Sequence, residues 1–150
     1  MVSVVVGVTP RPESEAALQA AIAEAQLRGA HLHIVRTAAT QAPESFARVA
    51  SWEREVADIE AGGRELVADL AHRGVEASFR VEAVASDPAT VLLEVVDEVG
   101  GELLVIGLRR RSAVGKLVLG SVAQDVLLGA ECAVLAVHAS SDADTQGLVP

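Results

Sequence analysis

Residues 2–8 run Val2-Ser3-Val4-Val5-Val6-Gly7-Val8 with almost no polar alternation. A strand buried on both faces reads this way, because each face must be apolar, as at the centre of a parallel sheet. Thr9-Pro10-Arg11-Pro12 breaks the run. Apolar residues then recur at Ala17, Leu18, Ala21, Ile22 and Ala25, which predicts a helix stopped by Gly29. His31–Thr37 predicts a second short strand, and residues 38–48 a loop around Pro43. From about Ala47, Val49, Trp52, Val56, Ile59, Gly63, Leu66 and Leu70 mark the seam of a longer helix, with Trp52 as its core anchor. Gly62-Gly63 inside that helix admits two explanations, a tolerated kink or close packing on the sheet. Exposed glycines there cost about 1 kcal/mol each against alanine.

Val75–Glu82 alternates strictly, so one of its faces is wet and the strand belongs at a sheet edge. Asp87-Pro88 is an N-cap followed by proline at the first helical position. Val91, Leu92, Val95, Val96 and Val99 line the helix that follows, and Gly100-Gly101 ends it. A strand at 102–106, a helix from Val122 to about Leu128 and a last strand Ala133–His138 complete the series. Alternating strands and helices predict an α/β fold, an open five-stranded parallel sheet with helices on both faces and right-handed crossovers. Residues 1–138 form the expected domain and 139–150 a flexible polar tail. In such sheets a ligand sits beyond the carboxyl ends of the strands, where strand order reverses. Those ends carry Thr9, Arg36-Thr37 and the loop that begins at Gly107.

At 150 residues the chain suits one domain. Its apolar fraction of 51 % includes only two Phe and one Trp, so the core is aliphatic. No apolar run approaches the roughly 18–20 residues of a membrane span, and Met1–Val6 lacks the basic start of a signal peptide. With Cys132 the only cysteine, no internal disulfide forms, and a reducing cytoplasm is the expected location. A net charge of −9 argues against nucleic acid as a partner. Against that background, four of the twelve Lys and Arg residues crowd between positions 109 and 116: Arg109, Arg110, Arg111 and Lys116. Their loop runs from Gly107 at a strand end to Gly120-Ser121 at a helix start. Such a junction presents backbone N–H groups to an anion.

The spacing from Gly107 to Gly120-Ser121 and the five-strand order resemble the universal stress protein family over about residues 2–138. Leu119-Gly120-Ser121-Val122-Ala123 and Cys132-Ala133-Val134-Leu135-Ala136-Val137 share that resemblance. It implies a Rossmann-like fold of the adenine nucleotide alpha hydrolase-like kind. Nucleotide-binding members carry glycine, two residues, glycine, nine residues, glycine, then Ser or Thr. Here the middle glycine is Arg110, and the Asp that commonly follows the first strand is Thr9. Arg110 occupies a backbone position that glycine serves better if φ is positive. Thr9 cannot accept from two ribose hydroxyls as a carboxylate can. The resemblance implies a stress-response protein that is not an enzyme and binds ATP or a related adenine nucleotide, with magnesium as its companion ion. On that reading Thr9 and Thr37 flank the adenosine, beside Ile106. Gly107 and Gly120 give backbone access, Ser121 and Val122 face phosphates, and Arg110 neutralises charge. The alternative it leaves open is a nucleotide-free interaction module whose basic loop meets an acidic protein partner. Either form is expected to be a homodimer through Ala133–His138, because an unpaired apolar edge invites a second copy.

Ser121 with Gln124 also fits a capping box, which needs no ligand. Gly115-Lys116 hints at a P-loop, but Arg110 stands where its first glycine belongs and Leu117 where Ser or Thr would hold magnesium. His31 and His33 share a strand face without further ligands to complete a metal shell, so no metal site is expected. Cys132 is expected to be a small buried side chain. No Ser-His-Asp or paired-carboxylate spacing supports catalysis, and a slow phosphohydrolase lacks an evident general base.

Overall fold

The computed structural model describes residues 1–39, 46–84, 87–109 and 119–139. Elements alternate strictly: β1 (Ser3–Val8), α1 (Pro12–Arg28), β2 (His31–Ala39), α2 (Phe46–His72), β3 (Ala77–Val84), α3 (Pro88–Val99), β4 (Leu103–Leu108), α4 (Ser121–Gly129) and β5 (Ala133–His138). They form one sheet in the order β3-β2-β1-β4-β5, with every neighbouring pair parallel. β1 is central, and Val4, Val5 and Val6 are each 0 % exposed, as the unbroken apolar run requires. Alternate residues of each strand feed two cores. Val4, Val6, Leu32, Ile34 and Val105 pack with Ala17, Leu18, Ala21 and Ile22 of α1 and Leu70 of α2. Val5, Val35, Leu104 and Ile106 pack on the other face with Leu92, Val95 and Val96 of α3 and Ala123 and Val126 of α4. From β1 the chain moves outward to β2 and β3, then returns to the opposite side of β1 as β4. Strand order therefore reverses between β1 and β4.

Three helices close alike. Gly29, Gly74 and Gly100 adopt positive φ, where only glycine avoids a Cβ penalty. After each, an amide reaches back to the last turn: Ala30 N to Ala25 O, Val75 N to Leu70 O and Gly101 N to Val96 O. The middle case moves a predicted boundary. Val75 belongs to the close of α2, buried beside Leu70, so the edge strand starts at Ala77 and extends to Val84. β2 likewise runs on to Ala39. Asp87 caps α3 as expected, its carboxylate accepting from Ala89 N at 3.1 Å and from the Thr90 hydroxyl at 2.6 Å.

Close packing accounts for Gly63. It is buried beneath Phe79 of β3, and a Cβ there would overlap the ring, whereas Gly62 faces open space. Trp52 is not a core anchor, being 40 % exposed. The reason is length. The 27 residues of α2 extend about 40 Å at 1.5 Å per residue, against about 26 Å for the eight of β3. Gly63, Leu66 and Leu70 reach the sheet, and the first turns of α2 overhang its carboxyl edge. Cys132 is only partly buried, packed against the α3–α4 core. Among the described residues no helix is long and apolar enough to cross a membrane. The loop expected around Pro43 falls largely, and the tail beyond Ala139 wholly, outside the described residues.

Candidate functional site

Beyond the carboxyl ends of β1 and β4 lies a cavity of about 350 Å³. Thr9 follows β1 at its rim, Thr37 comes from β2, and Ile106 and Gly107 from β4. Gly120, Ser121 and Val122 close it from the start of α4. Every site residue expected from sequence thus meets in one place, except Arg110, which with Arg111 and Lys116 lies outside the described residues.

Gly107 has a packing role besides its place in the lining. It is not at a strand end but inside β4, paired with Val137 of β5. A Cβ on it would collide with the backbone of Glu13 in the first turn of α1. The glycine lets that turn ride directly on β4. Gly120 is the reverse case: an added Cβ would meet none of the described residues within 4 Å.

The expected capping box is absent. α4 starts one residue earlier than the periodicity suggests, with Gly120, which has no side chain to cap with, as N-cap at φ −67° and ψ 162°. Ser121 is therefore helical and exposed, and Gln124 N donates to Gly120 O at 3.0 Å as an ordinary helical bond. A box needs the hydroxyl one position earlier, on the extended residue. The consequence is chemical. The opening N–H groups of α4 have no side-chain acceptor among the described residues, and they border the cavity at the positive end of the helix.

α1 supplies residues that the sequence reading missed. Ser14, 7 % exposed, accepts from Thr9 N at 2.9 Å, and its Oγ lies 3.0 Å from Thr9 Oγ1. Thr9 is thereby held in place at the rim. The signal was available: Ser14 lies in phase with Leu18, Ala21 and Ala25 on the buried face, and a polar residue there needs a partner. Glu13 and Arg109 face each other, with Arg109 Nε 4.0 Å from Glu13 Oε1, and the Glu13 side chain is 14 % exposed. Arg11 adds a second cation, while Leu92, Ile106 and Val122 form an apolar wall. An anionic group at one end and an apolar body at the other is what this lining accommodates.

The histidines lie away from the cavity. His31 and His33 share a face of β2 with ring centroids 4.4 Å apart. Ser78 Oγ sits 3.3 Å from His31 Nε2 and 3.1 Å from His33 Nδ1, and Ser3 Oγ lies 3.3 Å from His33 Nε2. Their ring nitrogens thus serve a network that links β1, β2 and β3. Burial, reinforced by His31 and Arg80 and opposed by Glu98, holds His33 below its ordinary pKa. Arg80 donates to Glu98 of α3 at 3.0 Å, with Glu82 at 3.4 Å, which raises its pKa.

Comparison with known proteins agrees with this architecture. The model of the universal stress protein family matches residues 1–138. A universal stress protein of Mycolicibacterium smegmatis is 40 % identical over 136 residues, which are 89 % of this chain and 95 % of the relative. The structure of a universal stress protein from Archaeoglobus fulgidus superposes with a TM-score of 0.66 at 27 % identity, covering 91 % of this chain and 98 % of the other. A universal stress protein solved in complex with cAMP gives 0.61 at 29 % identity, covering 93 % and 98 %. On the strength of that family match across the whole fold, this chain belongs to the universal stress protein family.

Proposed function

We propose that this chain binds an adenine nucleotide in the crevice between β1 and β4 and acts in the cytoplasm as a regulatory stress-response protein rather than by turning over a metabolite. The observation that carries the reading is the convergence of Thr9, Thr37, Ile106, Gly107, Gly120, Ser121 and Val122 on one cavity that also holds a helix start with no side-chain acceptor among the described residues. Phosphate oxygens take the N–H groups of the first turn of α4, with Arg109 beside them. With no described residue within 4 Å of an added Cβ at Gly120, the phosphates can approach the backbone there. The family member bound to cAMP supports an adenine ligand. Among the described lining residues Glu13 is the one carboxylate, and it faces Arg109, so a magnesium ion accompanying the nucleotide would ride on the phosphates.

The test is calorimetry with ATP, AMP and cAMP, alongside mass spectrometry of protein purified without added ligand. Micromolar heats or co-purified adenine nucleotide are expected. Gly120→Asp places a carboxylate against the phosphates and should weaken affinity at least about tenfold, or 1.4 kcal/mol. Full retention of affinity in that variant would remove the helix start from the site.

A second reading has its own support. Thr9, in place of the family's Asp, already spends its hydroxyl on Ser14. At the other end of the sheet β5 pairs on one side only among the described residues, and Leu127 and Leu128 of α4 are 43 % and 87 % exposed. A homodimeric interaction module that covers this edge and meets a protein partner would need no nucleotide.

A further inference from the structure

The nucleotide crevice does not end at Thr9 and Thr37. A second cavity, about 570 Å³, shares Thr9, Arg11, Thr37 and Pro88 with the first and continues toward α2. Its far wall is one face of the α2 overhang, where Trp52, Glu55, Val56 and Ile59 recur at helical spacing. Arg36 lines the boundary, its Nη1 donating to Thr37 O at 2.7 Å. Trp52 is the chain's only tryptophan, and the wide indole is 40 % exposed where the core does not use it. A half-exposed aromatic beside two guanidinium groups, continuous with an anion-binding helix start, calls for a ligand that is flat at one end and charged at the other.

We propose that Trp52 is the base-stacking residue of this protein. With the phosphates at the start of α4, beside β4, the base end of a nucleotide points across β1 toward β2 and α2. There the indole face of Trp52 covers the base, and Val56 and Ile59 shield it from water. Arg36 and Arg11 offset the acidic character of the surrounding protein along the ribose–phosphate path. Stacking is stronger for large ring systems, so this arrangement selects purine over pyrimidine nucleotides. The inference rests on the nucleotide reading given above.

Because the chain has one Trp and no Tyr, its near-ultraviolet emission reports on this residue alone. ATP should quench that emission on excitation at the red edge of the indole band, where adenine does not absorb, whereas inorganic triphosphate and ribose 5-phosphate should leave it unchanged. By calorimetry Trp52→Ala should weaken ATP about tenfold, while Trp52→Phe retains most of the affinity and triphosphate binding stays as in the parent. The preference for ATP over CTP should shrink in Trp52→Ala. Nucleotide heats that are equal in parent and Trp52→Ala, with emission unaltered, would overturn the stacking role and leave the nucleotide site standing. Absence of heat with every nucleotide would overturn both.

Discussion

Two glycines that look alike in the sequence do opposite things. Gly107 lies against the backbone of Glu13, where an added methyl has no room, and a methyl on Gly120 would touch none of the described residues. Gly107→Ala must push α1 off β4, and overpacking of that kind costs about 1–3 kcal/mol, measured as a lower midpoint in chemical denaturation. In Gly120→Ala the stiffer unfolded chain and the poorer N-cap oppose each other, so stability should stay within about 1 kcal/mol of the parent. His33 carries a pH dependence of its own. It faces Ser3, Ser78 and His31, with Arg80 and Glu98 close enough to act on its charge. Its folded pKa lies below the ordinary value near 6.5, so the unfolded chain takes up the proton first. The stability it contributes is whole above about pH 6.5 and is lost as pH falls through the lowered folded value. Melting temperatures between pH 7.5 and 5.5 should fall more steeply for the parent than for His33→Gln, and parallel profiles would dissociate the histidine from the acid response.

At the level of elements, what could be read from the sequence was whatever a single element determines. Val4-Val5-Val6 had to be central because nothing polar interrupts them, and Gly29 and Gly100 had to close helices because each follows an apolar period. Convergence of the site residues followed from topology, since successive parallel strands deliver their carboxyl ends to one edge. What escaped depended on two elements at once. Periodicity marks Trp52 as apolar-phase but cannot say that α2 outruns β3. Gly107 reads as a loop glycine until α1 is seen lying on β4. Ser121 reads as a cap because one residue of shift in a helix start is invisible to hydrophobic spacing. Gly63, by contrast, left two explanations open, and Phe79 on the neighbouring strand decides between them.

For the whole molecule the unresolved demand is the sheet's edge. At one end β3 is blunted: Arg80 and Glu82 line it, tied to Glu98 of α3. Charged side chains along an edge strand are one way a sheet avoids pairing with a second sheet. Among the described residues the other end has no such protection. β5 is Ala133-Val134-Leu135-Ala136-Val137-His138, without Asp, Glu, Lys or Arg, and among the described residues it pairs on one side only. A two-fold axis beside β5 would set it antiparallel to its copy and join both sheets, satisfying the free backbone groups of both. The exposed Leu127 and Leu128 on α4 offer apolar area to the same association. Light scattering and sedimentation at micromolar protein should therefore return twice the chain mass. Leu128→Glu, on a side chain 87 % exposed and outside both cores, should shift the equilibrium toward monomer without lowering the melting point at high dilution. A parent that sediments as a monomer at all concentrations would mean that β5 is left bare, and the burden of preventing aggregation would then fall on the chain's net charge of −9.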